Sequence, residues 1–326
     1  MPVESCSTLI AAPRRLVAGV VRDGEAADES LREAGHRYSA AVRLLVPGDE
    51  VLLEARLAPG VRLPYRSRVR SVGVGGMVSE LAGGLAKGLV HTTTLAAAPG
   101  GTVMRDEIRW RSPFGAIGRM ADAILVRRLM RDMLASRSAV YRRRAEELAA
   151  APAVVGAAIV RDGAVLAAQR SRPADLRGRW ELPGGRAEPG ESEPDALARE
   201  CAEELAAQVE VGERVGTDLP VTTPGGALAL RMYAAVLRPD SPEPKALEHL
   251  AVRWLTEREL PTVAWVDADR AVVGDLEALL QAQRSDALCL GTTRKTGNRG
   301  ATRANSRSGA SLSTGMCVRA FGARPT

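Results

Sequence analysis

Between Trp180 and Val209 the chain reads WELPGGRAEPGESEPDALARECAEELAAQV, and no other stretch so narrows what it can build. Ser192 followed three residues later by Asp195 has the form of a helix N-cap with a capping box, and Pro194 falls in the first turn, where a missing N–H costs little. The helix so started is predicted to run to about Ala206. On it Leu197, Cys201 and Leu205 recur at i, i+4 and i+8 as an apolar stripe, while Glu200, Glu203 and Glu204 form an acidic sector a quarter turn or more away. Three carboxylates at that spacing repel one another unless a cation compensates them. Hard divalent cations take oxygen ligands and are commonly held by carboxylates together with substrate phosphates. Read alone, the triad favours a solvated acidic helix face over a cation site.

The flanks supply the rest of the organisation. Upstream of this helix, VVGAAIVRDGAVLAAQR places Asp162-Gly163 between two apolar runs, a strong short hairpin signal. Residues 117–148 are predicted to form one long helix, with Ile117, Met120, Ile124, Met130, Met133 and Val140 at helical spacing. Its arginines are interleaved with Asp122, Asp132, Glu146 and Glu147, the pattern of a solvated face with intrahelical pairs rather than a membrane or nucleic-acid surface. Residues 37–110 read as β-structure, with a hairpin turn at Ala98-Pro99-Gly100-Gly101. Strands followed by a closing helix point to an α+β domain whose sheet wraps that helix. Ala149 to Pro152 is the expected linker.

Net charge separates the body of the chain from its end. From Ser285 onward, Arg294, Lys295, Arg299, Arg303, Arg307, Arg319 and Arg324 stand against Asp286 alone and account for the whole excess of +6. The body is therefore neutral, which argues against a nucleic-acid-binding domain. Residues 285–326, rich in Gly, Ser, Thr and Arg, are expected to be a disordered basic tail. Cys6, Cys201, Cys289 and Cys317 form no close pair, so neither a disulfide scaffold nor zinc-finger spacing is indicated. No apolar run is long enough to span a bilayer, and MPVESC lacks the basic-then-apolar pattern of a secretory signal. A cytoplasmic protein is the expectation.

Gly185, five residues, Glu191, seven residues and then Arg199-Glu200-Cys201-Ala202-Glu203-Glu204 resemble the Nudix box position by position, and Trp180 to Gly185 resemble its MutT-type branch. The run from Val154 to Leu280 is similar to MutT enzymes acting on 8-oxo-dGTP or (d)CTP. One departure stands out: the glycine the family places two residues after the last glutamate is Ala206 here. The resemblance implies that Glu200, Glu203 and Glu204 hold Mg²⁺ or Mn²⁺, with the Gly184 carbonyl as a further ligand. It implies that Arg199 and Glu191 brace the loop, that Glu248 in LEHLAVRW is an extra metal-binding or base glutamate, and that Arg170 contacts the nucleotide. Asp269 in WVDADRAVV takes the place of the base-reading residue; an ionised carboxylate there would accept hydrogen bonds from the base.

HTTTLAAAPGGTVMRDEIRWRSPFGAIGRMADAILVRRLMRDML resembles the last hairpin and closing helix of START-like proteins of the polyketide-cyclase/dehydrase type, a helix-grip fold whose sheet and helix enclose an apolar ligand cavity. The expected architecture is thus an α+β two-domain chain. A START-like helix-grip domain over 1–148 and a linker at 149–152 precede a Nudix α/β/α sandwich over 153–284 and the tail over 285–326. The expected activity is Mg²⁺-dependent cleavage of a nucleoside triphosphate to the monophosphate and pyrophosphate, in nucleotide-pool sanitation. The N-terminal half would take an apolar small ligand. The rival reading is a ligand-binding START-like regulator with a vestigial Nudix half, against which the intact Glu200, Glu203 and Glu204 weigh.

Overall fold

A computed structural model describes residues 1–84, 88–111, 126–223 and 226–296, and the side chains of the last helix as far as Ser285. The first half is a curled, wholly antiparallel seven-stranded sheet: β1 (Val3–Ile10), β2 (Arg37–Ala40), β3 (Glu50–Ala58), β4 (Val61–Gly73), β5 (Gly76–Gly84), β6 (Leu89–Ala98) and β7 (Gly101–Trp110). The strands lie in the order β1-β7-β6-β5-β4-β3-β2, so the sequence run β2 to β7 is a meander that β1 completes by pairing with β7. The hairpin expected at Ala98–Gly101 joins β6 to β7, with those two residues paired across it.

Helix α1 (Arg14–Val21), helix α2 (Gly24–Glu33) and the long α3 (Arg127–Ala149) cover one face of this sheet. Leu16, Val17 and Val20 of α1 and Val140, Tyr141, Ala145 and Leu148 of α3 pack with Val51, Leu53, Val69, Met77, Leu95 and Met104. Of the long helix predicted over 117–148, residues 117–125 lie outside the described residues.

The second half sandwiches a mixed sheet between two helices. Its strands are β8 (Ala153–Arg161), β9 (Ala164–Gln169), β10 (Trp180–Glu181), β11 (Gly184–Arg186), β12 (Val209–Thr223), β13 (Gly226–Leu237) and β14 (Ala251–Thr256). The order is β10-β9-β8-β13-β12, with β11 on β8 and β14 on β9; β8 and β13 run parallel. Asp162 and Gly163 both take positive φ at the β8–β9 turn, as a two-residue hairpin of that sequence demands. β8 is buried on both sides: Val155, Ala157 and Ile159 face helix α4 (Glu193–Leu205), while Ala158 and Val160 join the core under helix α5 (Asp267–Thr296). That two-sided burial explains why AVVGAAIV shows no polar alternation.

Residues 1–284 form one compact unit, and the two sheets are not independent within it. Ala229 of β13 belongs to the first core, and Leu44 of the first half belongs to the core under α5. The structureless tail expected from Ser285 begins instead as the last turns of α5, which continue to Thr296. Ser285 to Leu290 contain no proline or glycine to stop a helix already propagating, and propagation costs far less than nucleation. Residues 297–326 lie outside the described residues. Among the described residues no helix is long and apolar enough to cross a membrane.

Candidate active site

Helix α4 starts and stops by local chemistry. The Ser192 hydroxyl accepts the Asp195 N–H at 3.3 Å, capping the first turn. At the far end Ala206 adopts the left-handed conformation with φ +54°, and the Ala207 N–H reaches back to the Cys201 carbonyl at 3.2 Å. The exit expected of a glycine is therefore made by an alanine that carries a Cβ in an unfavourable region. Ala206→Gly is expected to stabilise the fold by about 1 kcal/mol, seen as a Tm rise of about 2–4 °C in thermal unfolding; an unchanged or lower Tm would show the strain to be relieved elsewhere.

The stripe Leu197, Cys201 and Leu205 is fully buried against Val155, Ala157, Ile159 and Leu166. Anchoring that face turns the acidic sector toward the loop between β10 and β11. Glu200 lies against Gly185 so closely that a Cβ at residue 185 would overlap its carboxylate. Arg199 organises the sector. Its Nε and Nη2 donate to the two Glu191 oxygens at 3.0 and 3.1 Å, and its Nη2 also to the Arg186 carbonyl at 3.1 Å. Its Nη1 reaches Glu200 at 3.0 Å and Glu203 at 3.2 Å. The hydrogen bonds from Arg199 hold the Glu191 carboxyl below the usual range. Glu203 is the most exposed of the three glutamates.

Glu204 sits deeper. Its Oε2 accepts the Gly184 N–H at 3.0 Å and its Oε1 lies 4.0 Å from His249 Nε2. Burial pushes this carboxyl up to about 7, against the pull of His249 and the Gly184 amide. His249 Nε2 also lies 3.1 Å from Glu181 Oε1, whose other oxygen is paired with Arg170. Burial disfavours the His249 imidazolium, but the hydrogen bond to Glu181 and the charges of Glu204 and Glu181 outweigh it and raise its pKa. Glu181 and His249 were not singled out from the sequence. Their one available signal was proximity in sequence to residues that were: Glu181 in WELPGG and His249 beside Glu248.

Three of the expected site residues stand apart from the cluster or differ from their expected state. Glu248 does not join Glu204; it pairs with Arg172 at 3.0 Å on the surface, while its neighbour His249 reaches Glu181 and Glu204. The Arg170 guanidinium is engaged by Glu181 and the Arg172 carbonyl. Asp269 is almost wholly buried in the first turn of α5, where its Oδ1 accepts the Leu182 N–H at 2.8 Å. Burial pushes its carboxyl up to about 8, so near neutrality it is largely protonated rather than the ionised acceptor expected from the sequence.

Among the described residues no three His, Cys, Asp or Glu side chains already converge as a metal cage. The donor set nonetheless fits a hard divalent cation: three carboxylates share one helix face, and the missing Cβ of Gly185 leaves the space that Glu200 occupies.

Residues 150–276 match the NUDIX domain family model. A Mycobacterium tuberculosis protein named "Putative 8-oxo-dGTP diphosphatase 2" is 48% identical over 136 residues, covering 41% of this chain and 93% of that one. The chain belongs to the Nudix hydrolase family. An Escherichia coli K12 protein named "CTP pyrophosphohydrolase" is 34% identical over 133 residues, 41% of this chain and 96% of that one. The solution structure of the E. coli ORF135 protein is 36% identical and covers 40% of this chain and 91% of that one, with a TM-score of 0.36. In this Nudix hydrolase the family segment thus holds the acidic face of α4, the loop carrying Glu181 to Gly185, His249 and Asp269, all within one sheet sandwich.

Proposed function

We propose that this Nudix hydrolase is a divalent-metal-dependent nucleoside triphosphate pyrophosphohydrolase, releasing a monophosphate and pyrophosphate, with 8-oxo-dGTP or (d)CTP as substrate. The observation that carries the reading is the α4 acidic face held over Gly184-Gly185 by Arg199 and Glu191. The names of the two relatives support the substrate class. Glu200, Glu203 and Glu204, with the Gly184 carbonyl, would hold Mg²⁺ or Mn²⁺. Such an ion, when bound, neutralises the polyphosphate and lowers the pKa of bound water.

The chain's own residues do the rest. Arg199 keeps the Glu200 and Glu203 carboxylates oriented, and Glu191 keeps Arg199 in place. Glu204 has one oxygen already fixed by the Gly184 amide, which orients the carboxylate that would hold the cation. The assay that tests the reading is product analysis with Mg²⁺ over 8-oxo-dGTP, dCTP, CTP, 5-methyl-dCTP, ADP-ribose and diadenosine polyphosphates. Preference for the last two over every triphosphate overturns it.

Asp269 is the base-reading residue in this proposal, and its protonated carboxyl offers the base an O–H donor. Raising pH through about 8 should remove that donor, so kcat/KM for the preferred nucleotide falls on the alkaline side. Asn at 269 keeps both a donor and an acceptor for the Leu182 N–H at all pH. Asp269→Asn is therefore expected to retain the base preference and to flatten the alkaline limb relative to the wild type. The sign for stability agrees. A carboxyl whose folded pKa is raised loses stability as pH rises toward that value, so the Asn variant should gain Tm relative to wild type as pH rises from about 4 to about 8, and the gain should level off above that. Parallel alkaline limbs in the two proteins reject the protonated-donor role.

For the N-terminal half we infer a START-like helix grip, supported by the curled antiparallel meander closed over α3. The space between sheet and helices is about 100 Å³, bordered by Tyr38, Tyr65, His91 and Arg137 among others. An apolar cavity of about 150 Å³ takes a molecule the size of benzene, so this space gives no support to the apolar small ligand expected from the sequence.

A further inference from the structure

The two halves meet where the nucleotide site is built. Arg22, at the end of α1, is 2% exposed and far from any water-facing role. Its Nε donates to the Leu45 carbonyl at 2.9 Å, its Nη1 to Thr217 Oγ1 at 3.4 Å, and its Nη2 to the Ala271 carbonyl of α5 at 2.7 Å. One residue earlier on α5, Arg270 reaches the opposite way. Its Nη2 donates to the Leu44 carbonyl at 2.8 Å and pairs with Asp49 at 3.0 Å. Asp49 is itself pinned by the Val46 N–H at 2.8 Å, so the acceptor is a fixed turn rather than a free side chain. Between the two arms of this clasp, Leu44 sits in the same buried cluster as Leu182, Trp265, Ala271 and Val272.

Residues 269, 270 and 271 are consecutive in the first turns of α5. Two of them are gripped by the N-terminal half, and the third, Asp269, holds the Leu182 N–H in the loop that leads to Gly184 and the glutamates. The clasp and the site lie in the same compact unit, residues 1–284. We propose that the N-terminal half is a positioning element of the nucleotide site: the Arg22–Ala271 and Asp49–Arg270 contacts fix the start of α5, and through it the Asp269–Leu182 contact that faces the base. The proposal rests on the reading of Asp269 as the base-facing residue. It assigns Arg22, Asp49 and Arg270 a positioning role and no contact with substrate. Because the clasp acts on binding geometry rather than on the glutamates, loosening it should appear in KM and not in kcat.

The test uses the full chain with Mg²⁺, 8-oxo-dGTP and dCTP, and the exchange rate of the Leu182 amide by hydrogen–deuterium exchange. Asp49→Ala and Arg270→Met are two independent ways to open the clasp. Arg43→Ala is the control, because Arg43 joins the halves through Thr222 of β12 at 2.7 Å, its other partners are Asp23 and Glu25, and among the described residues its side chain makes no hydrogen bond to α5. Asp49→Ala and Arg270→Met are expected to raise KM about 2–30-fold, the range for coupling through a packed contact, with kcat within about twofold and faster Leu182 exchange. Arg43→Ala should leave KM and Leu182 exchange unchanged. Unaltered Leu182 exchange in both clasp variants overturns the proposal. So does an equal KM rise in Arg43→Ala, which would mark a general loosening of the interface. Asp269→Ala separates the two readings. If it changes KM for neither nucleotide, the base-facing assignment fails, while Leu182 exchange in the clasp variants still decides whether the brace exists.

Discussion

Glu204→Gln is expected to slow Mg²⁺-supported nucleotide turnover at least about 100-fold, the scale set by losing one preorganised charge at a reacting centre, while the protein melts at or above the wild-type temperature. The two halves of that expectation have the same cause. Glu204 is buried, and its carboxyl is pushed up to about 7 by that burial, so the folded state holds the proton more tightly than the unfolded chain does. The stability contribution present at low pH is then lost as pH rises toward 7, and at pH 8 the ionised group is a net cost. Gln keeps the volume and can still accept the Gly184 N–H through its amide oxygen, but it carries no charge to bind a cation and accepts no proton. A steady-state kcat and a thermal melt at pH 8 check both parts. Full turnover in the variant removes Glu204 from the chemistry, and a large Tm loss would make it a structural residue instead.

Gly19→Val is expected to produce the largest stability loss of any single change at the interface, about 3 kcal/mol or more, beyond the usual range for overpacking. Gly19 lies in α1 with its Cα pressed on the backbone of β12. A Cβ there would overlap the Asp218 carbonyl oxygen, a backbone atom that cannot rotate away. The neighbouring Arg15 side chain also reaches the Gly216 carbonyl, so the contact is tight along two turns. Since α1 contributes Leu16, Val17 and Val20 to one core and Arg22 to the clasp on α5, forcing it away opens both. Chemical denaturation of the full chain measures the loss. A midpoint within error of the wild type would mean that the halves separate at little cost, which would also weaken the positioning role proposed for the first half.

Helix α4 and its two faces were legible because their determinants are local. The Ser192 cap, the Leu197–Cys201–Leu205 stripe and the Glu200–Glu203–Glu204 sector are all set by the 3.6-residue period, and the structure places each where that period requires. The Asp162-Gly163 and Pro99-Gly100 turns were legible for the same reason. Helices α1 and α2 were not read, being short elements whose apolar residues show their purpose only once the sheet is there to receive them. The continuation of α5 past Ser285 was missed because a composition poor in apolar residues reads as coil even where a long helix can carry through it.

What the sequence determined by itself is the set of groups available: the acidic face of one helix, the glycines that let backbone and carboxylate approach, and the arginine that gathers Glu191, Glu200 and Glu203. What only the tertiary structure decided is the state and company of the remaining groups. It turns His249 inward and Glu248 outward, and it seats Glu181 between Arg170 and His249. It buries Asp269 until its carboxyl keeps its proton, and it brings Arg22 and Asp49 from the far half of the chain onto α5. The physical reason is that periodicity is a property of a few consecutive residues, whereas burial, and with it protonation and side-chain pairing, depends on which distant segments come to cover them.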